Sequence, residues 1–164
     1  MRALIVAGIV APLMTVAMGC HHVSRPSSVA IKPDTVAGIV SITGTAFEQH
    51  IVLRSGQVVI PLLATKSDST ALSRVGGVQV RVVGRWAQKS FRVERFTAEY
   101  VAGSPVVDGF VRKEGDRLVL ETTHGTIPLG NPPIALRSMI GARVWIGGPL
   151  DKGPNTYGVI VPAQ

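Results

Sequence analysis

The sequence has little from which a catalytic centre or a metal cluster could be built. Its 164 residues include one Cys and four His, and 16% of them are charged. A single cysteine excludes an internal disulfide framework and a zinc cluster built on cysteines. The length allows one ordinary domain or two small ones, which excludes a large multidomain enzyme. Charge is nevertheless too sparse, and β-branched residues are too frequent, for a disordered chain.

The first 19 residues have the features of an export signal. Arg2 supplies a positive charge, and the apolar run that follows is interrupted by Pro12 and ends in small residues before Cys20. A transmembrane helix needs about 20 uninterrupted apolar residues. A short positive start, an apolar stretch and a small-residue end are typical of a signal that is removed. We therefore predict a signal peptide over residues 1–19.

The end of this segment, Ala17-Met18-Gly19-Cys20, resembles the lipobox of bacterial lipoproteins. In that family the cysteine is lipidated and becomes the mature N-terminus, so the resemblance implies acylation of Cys20 and anchoring in a membrane. Residues 20–35 then form a flexible tether. Because His21 stands where inner-membrane lipoproteins carry Asp, the resemblance also implies an outer-membrane protein facing the periplasm. The alternative is an ordinary signal peptide followed by a coincidental cysteine.

Three blocks of the remaining sequence recur in the same order, with identical residues at several aligned positions. The paired segments are 38–40 with 109–111, 51–62 with 118–129, and 71–84 with 135–148. Three ordered blocks predict an internal duplication. We place repeat 1 at residues 36–101 and repeat 2 at residues 106–164, joined by a short segment that leaves them little freedom to separate.

Each copy predicts three strands, a short helix and two further strands. The first strands begin at Gly38 and Gly109, and the helices cover residues 69–75 and 133–140, each followed by glycine in a left-handed conformation. This order is that of the OB-fold, a five-stranded barrel. The copies also resemble small OB-like barrel repeats of secreted bacterial proteins of unassigned function. The predicted fold is therefore all-β, with two tandem barrels; an SH3-like barrel and one continuous sandwich are the alternatives.

No constellation of residues predicts catalysis, a metal site or a cofactor. His50 and His124 occupy non-equivalent places in the two copies, and neither has the spacing of a nucleophile elbow or a metalloprotease. The neighbouring acids Glu114 and Asp116 are explained by a turn. The prediction is a protein that is not an enzyme and holds no metal or cofactor; a hydrolase using either histidine is the minor alternative.

One basic stretch stands out, from the fourth strand of repeat 1 through the turn into the fifth strand. It contains Arg81, Arg85, Trp86, Lys89 and Arg92. A hairpin turn near residues 86–87 would bring Arg81 close to Arg92 across the ladder. The corresponding loop is a ligand loop in OB-folds, and cations beside an exposed aromatic ring form a platform for nucleic acids or sugars. These five residues are the candidate ligand surface, and a solvated charged face is the alternative.

The charge of the exported chain suggests what such a surface would meet. Removal of Arg2 with the signal leaves 16 − 10 = +6, which favours acidic partners through long-range attraction. For an exported protein these are lipid phosphates, lipopolysaccharide and cell-wall polymers, and not nucleic acid. We predict a membrane-anchored, non-enzymatic lipoprotein that binds an anionic envelope polymer or a protein partner. The alternative is a structural subunit of an envelope complex that binds through sheet edges.

Overall fold

Short runs of alternating apolar and polar residues form ten strands in a computed structural model, which describes residues 32–45 and 48–163. The described residues belong to one compact unit. The signal peptide, Cys20 and nearly all of the tether lie outside them. The strands are β1 (Asp34–Gly44), β2 (Gln49–Ser55), β3 (Val58–Leu63), β4 (Gln79–Ala87), β5 (Ser90–Val101), β6 (Ser104–Glu114), β7 (Arg117–Thr122), β8 (Gly125–Pro128), β9 (Arg143–Gly147) and β10 (Thr156–Val161). The helices are α1 (Lys66–Arg74) and α2 (Ile134–Arg137).

Strands β1 to β5 close into a small barrel. The antiparallel pairs are β1–β2, β2–β3, β4–β5 and β1–β4. Strands β3 and β5 complete the circuit in parallel, with Leu62 opposite Phe91. This closed circuit of five strands, with a helix between the third and fourth, has the OB-like order. The predicted all-β class is confirmed.

The interior of the barrel follows the predicted alternation along β4. Val78, Val80 and Val82 are buried, together with Leu72 of α1. Helix α1 begins three residues before the predicted start because the backbone N–H of Asp68 donates to the side chain of Thr65 at 3.2 Å. That N-cap satisfies a helix-end donor, and it was not recognised in the sequence. The predicted left-handed glycine after the helix is Gly77, with φ of +81°.

Strands β6 to β10 repeat the pairing order of the first five strands with one difference. Strand β6 pairs with β7 and β9, β7 pairs with β8, and β9 pairs with β10. In the part of the chain that the structure describes, β8 and β10 do not pair. Helix α2 spans four residues where eight were predicted, because its cap residue Pro133 offers no side-chain hydrogen bond. Its glycine, Gly141, has φ of +91°.

The two halves make matching backbone hydrogen bonds near the middle of their first strands. Val40 donates to residue 78 at 3.0 Å and accepts from residue 77 at 2.9 Å. Val111 donates to residue 142 at 2.9 Å and accepts from residue 141 at 2.8 Å. These partners are the residues that the sequence alignment of the two copies makes equivalent.

A glycine sits at the same place in both first strands. A Cβ on Gly38 would collide with the carbonyl oxygen of Arg54, and a Cβ on Gly109 would collide with that of Glu121. Glycine is therefore required by close approach of two backbones. Both strands begin before these glycines, at residues 34 and 104, so the predicted starts are wrong: glycine lies inside each strand and does not mark its beginning.

The halves are joined by a tight hairpin and by shared packing. Strands β5 and β6 turn through Ala102 and Gly103, with φ of 47° and 78°. Two consecutive positive φ values are those of the turn that matches strand twist in hairpins. Ile160 of β10 is fully buried in the core formed by the first half. A second core fills the space inside β6–β10.

Candidate functional site

The basic stretch forms the β4–β5 hairpin, but with a register that differs from the prediction. The turn lies at residues 88–89, where Gln88 has φ of 57°. Arg85 is therefore opposite Arg92, whereas Arg81 is opposite Thr97. The predicted neighbourhood of Arg81 and Arg92 is wrong because the strands run two residues further before they turn. Two arginines do face each other across the ladder, but they are Arg85 and Arg92.

Two carboxylates of β5 neutralise two of the arginines of β4. Glu94 and Glu99 have no partner residue across the β4–β5 ladder, since each lies at a shift in the register. Glu94 pairs with Arg85 at 2.9 Å, and Glu99 pairs with Arg81 at 2.5 Å. A bulge changes the direction in which the following side chains point. The carboxylates of Glu94 and Glu99 therefore depart from the inward–outward alternation of an unbroken strand. Sequence reasoning, which assumed an unbroken ladder, missed both ion pairs.

Trp86 is held at one end of the barrel, beside the first residue of β1. Its indole N–H donates to the carboxylate of Asp34 at 2.9 Å, and its ring meets the buried ring of Phe91 edge-on at 5.2 Å. Half of its surface stays exposed (50%). A hydrogen-bonded, edge-packed ring is fixed in orientation, so Trp86 presents a rigid apolar face with a satisfied polar atom.

Four of the five predicted residues come together at this end of the hairpin. We call Arg85, Trp86, Lys89 and Arg92 the hairpin tip. Lys89 and Arg92 are exposed and make no ion pair with any residue of the described ranges. Arg81 lies four residues, or about 13 Å along the strand, from Arg85, and its charge is compensated. The structure therefore separates Arg81 from the other four.

A partly buried ion pair, not foreseen from the sequence, joins the two halves. Arg143 grips Asp108 with two bonds, at 2.7 and 2.9 Å, and the side chains are 19% and 3% exposed. Asp108 also accepts from the backbone N–H of Ala98 at 2.9 Å, while Arg143 donates to the carbonyl of Phe96 and covers its ring. Strand β5 pairs with β3 near its start and with β6 at its end. Asp108 and Arg143 hydrogen-bond to the backbone of β5 between these two stretches.

Aligning the two copies contained a signal for this pair. Asp108 is equivalent to Ala37 and Arg143 to Gln79, so one copy has two opposite charges where the other has none. Two opposite charges that are present in one half only, on strands that pair with each other in the predicted barrel, indicate a contact. The sequence analysis considered acidic residues singly and did not make this comparison.

A cleft of about 450 Å³ opens beside the ion pair. Its lining includes Arg143, Arg112 and Arg95. Arg143 is engaged as described, and Arg112 pairs with Glu121 at 2.7 Å. Within the described residues, Arg95 alone among these three lacks a carboxylate partner. The hairpin tip combines two such cations with an exposed indole, and is the stronger candidate for an anionic ligand.

His50 and His124 belong to no metal-binding cluster of the described residues. His50 is 3.5 Å from the carboxylate of Glu48 in an exposed position, and His124 lies in the β7–β8 turn, where its backbone N–H donates to Thr122. Asp116 lies in the turn between β6 and β7. Over residues 32–45 and 48–163, no group of three or more His, Cys, Asp or Glu side chains could hold a metal ion.

None of the described helices is long and apolar enough to cross a membrane. No family model and no curated protein sequence matches the chain. A fold of this kind serves many unrelated functions. The argument for function therefore depends on the residues of the hairpin tip and on the N-terminal sequence.

Proposed function

We propose that the protein is a lipid-anchored, non-enzymatic lipoprotein of the cell envelope that binds an anionic component through the hairpin tip. The observation that carries the proposal is that the end of one hairpin holds a rigid, half-exposed Trp86 and two exposed cations, Lys89 and Arg92, which have no carboxylate partner among the described residues. Trp86 packs on Phe91, and Arg92 lies on the other face of the hairpin, opposite Arg85. An exposed indole and cations at one end of a hairpin fit a ligand large enough to contact both faces, with an apolar part for the ring and negative charge for the cations. The net charge of +6 calculated above attracts such partners from a distance.

The anchor is supported by the sequence that ends at Cys20. An uncharged apolar run that ends in Ala17-Met18-Gly19-Cys20 resembles the lipobox at which lipoproteins are acylated, with Met18 in place of the usual small residue. We extend the proposal to an outer-membrane location with the folded unit in the periplasm, because no Asp follows the cysteine.

The proposal includes an origin of the folded unit by duplication. The matched hydrogen bonds of Val40 and Val111 support it. So do Gly38 and Gly109, each of which allows a close approach of the equivalent second strand. The copies differ at the hairpin tip: the loop between β9 and β10 carries Asp151 and Lys152 in place of the basic cluster. Binding of the anionic component thus belongs to the first half alone.

A charge-reversal experiment tests the binding surface. Lys89→Glu combined with Arg92→Glu leaves the Arg85–Glu94 pair in place, and removes both unpaired cations of the tip. We expect retention on immobilised lipopolysaccharide and on anionic vesicles to fall at low salt, with the melting temperature unchanged. The matched control, Lys113→Glu with Arg117→Glu, makes the same change in net charge on the exposed β6–β7 hairpin and should keep retention close to that of the unaltered protein. Equal retention by both double variants would remove the hairpin tip from the proposal.

A structural subunit is the second candidate, and one observation favours it. Strand β8 pairs only with β7 among the described strands, so one of its edges is available to a strand of another protein. Pro128, which has no N–H, lies at its end and limits the number of ladder bonds. Salt-insensitive capture of one protein partner in stoichiometric amount would favour this candidate over binding through the hairpin tip.

A further inference from the structure

The chain enters the folded unit at the hairpin tip. Asp34 is the first residue of β1 and pairs with Gly84 of β4, and its carboxylate accepts the indole N–H of Trp86. Lys32, two residues before Asp34 in the chain, is exposed and adds another cation near the start of β1. The residues that lead back to Cys20 therefore start beside Trp86, and not on the opposite side of the barrel.

The number of residues between the cysteine and this point limits how the unit can sit on a membrane. From Cys20 to Asp34 there are 34 − 20 = 14 residues, so these two residues cannot lie more than about 50 Å apart. A folded unit of about 130 residues has a radius of gyration of about 14 Å and is about 36 Å across. A lipid on Cys20 therefore gives the hairpin tip a higher local concentration of headgroups than the far side of the unit receives.

The chemistry of the tip fits such a surface. Lys89 and Arg92 supply cations for headgroup phosphates, and each basic residue near an anionic leaflet strengthens binding about fivefold. Trp86 offers a half-exposed indole, and tryptophan favours the interface between headgroups and acyl chains. We propose that the hairpin tip docks on the anionic phospholipid headgroups of the membrane that holds Cys20, and so fixes the orientation of the folded unit. This inference rests on the proposed function for the lipid anchor on Cys20.

Tryptophan fluorescence tests this docking directly. The chain contains two tryptophans, so Trp145→Phe leaves Trp86 as the only one. The full chain is coupled through its single cysteine to maleimide lipids in vesicles with or without phosphatidylglycerol. We expect a blue-shifted Trp86 emission and quenching by lipids brominated near the headgroup only in the anionic vesicles, with both effects lost in high salt. Equal access of aqueous iodide to Trp86 in both kinds of vesicle would overturn the inference.

A second measurement removes any doubt about folding of the Trp145→Phe variant. Trp145 packs against the first core, so its loss could disturb the unit. Labelling both tryptophans with 5-fluorotryptophan allows ¹⁹F spectra of the unaltered sequence, with the Trp86 line assigned from Trp86→Phe. We expect only the Trp86 line to shift on anionic vesicles, and Lys89→Glu with Arg92→Glu to weaken vesicle binding at least about tenfold. A Trp86 line that does not move contradicts docking.

The experiment separates failure of this inference from failure of the proposed function. Maleimide coupling places the anchor at Cys20 whether or not the cell acylates it, so the docking test is independent of native lipidation. The intact mass of protein isolated from membranes tests the native anchor, and an unmodified cysteine would overturn the proposed lipoprotein. If the tip binds lipopolysaccharide but not phosphatidylglycerol vesicles, the proposed function stands and the phospholipid surface is wrong.

Discussion

In the first half of the folded unit, β3 and β5 pair in parallel at Leu62 and Phe91 and close the barrel. In the second half, the equivalent strands β8 and β10 do not pair in the described part of the chain. The β9–β10 register shifts between Val159 and Val161, and the residue between them, Ile160, is fully buried in the core of the first half. The strand that could close a second barrel contributes a core side chain to the first barrel instead.

The Asp108–Arg143 ion pair also distinguishes the two halves. The second half carries Asp108 and Arg143, which bond to the edge of β5 in the first half, whereas the equivalent residues of the first half are Ala37 and Gln79. A closed barrel satisfies its own strands, and an open one depends on its neighbour. The comparison teaches that the second half, which is not closed in the described residues, is bonded to the first half, so we expect the two to unfold together.

The largest expected effect comes from breaking the Asp108–Arg143 ion pair, whose carboxylate is almost fully buried (3% exposed). Asp108→Ala leaves the guanidinium of Arg143 and the N–H of Ala98 without their acceptor, and removing one partner of a buried pair costs about 3–5 kcal/mol. Arg112→Ala, on the same strand as Asp108, is the control: its pair with Glu121 of β7 is half exposed (49% and 53%), and such pairs contribute about 0–1 kcal/mol. Urea unfolding of the purified proteins measures both. Equal costs would contradict the role assigned to Asp108.

An intermediate effect is expected from the matched glycines. Gly38→Ala and Gly109→Ala each force a Cβ against a carbonyl oxygen of the second strand, and overpacking of this kind costs about 1–3 kcal/mol. Both variants should lower the midpoint of the same single thermal transition. Gly76→Ala serves as the control, because its Cβ would meet only the carbonyl of Ser73 at 3.7 Å. A Gly109→Ala protein that unfolds in two steps would show that the halves are independent.

The smallest effect is expected at Arg81, which the structure separates from the hairpin tip. Its pair with Glu99 is partly exposed (54% and 21%), so Arg81→Ala should change the free energy of unfolding by about 0–1 kcal/mol. Retention on anionic vesicles should fall less than in Arg92→Ala, since Arg92 has no carboxylate partner in the described unit. A co-sedimentation assay at low salt compares the two variants. A larger loss of retention in Arg81→Ala than in Arg92→Ala would show that Arg81 belongs to the binding surface.

Local features of this fold could be predicted from the sequence, whereas features set by distant pairing could not. Val78, Val80 and Val82 follow from alternation, and Gly77 follows from the need for positive φ after a helix. The bulge at Glu94 could not be predicted, since it depends on the register of β5 against β4. The same applies to Ile160, whose burial depends on a contact between halves that the alternation pattern of one strand does not contain.

For the candidate site, the sequence located the hairpin and its basic residues but not their pairing. Trp86 stands where the β4–β5 turn was expected and Arg92 is on the expected fifth strand, yet the turn is two residues later than predicted. The hydrogen bond from Trp86 to Asp34 spans 52 residues and has no local signature. That bond places the start of the chain beside the tip, and it required the structure.

Hydrogen exchange at two matched amides tests the central claim, that the closed and the open half form one cooperative body. The amides of Val40 and Val111 make equivalent hydrogen bonds in the two halves, so local geometry does not distinguish them. If the halves unfold together, both amides exchange only through global unfolding, with the same free energy and the same dependence on denaturant. A lower free energy for Val111, with a weaker dependence on denaturant, would show that the second half opens by itself and would contradict the account.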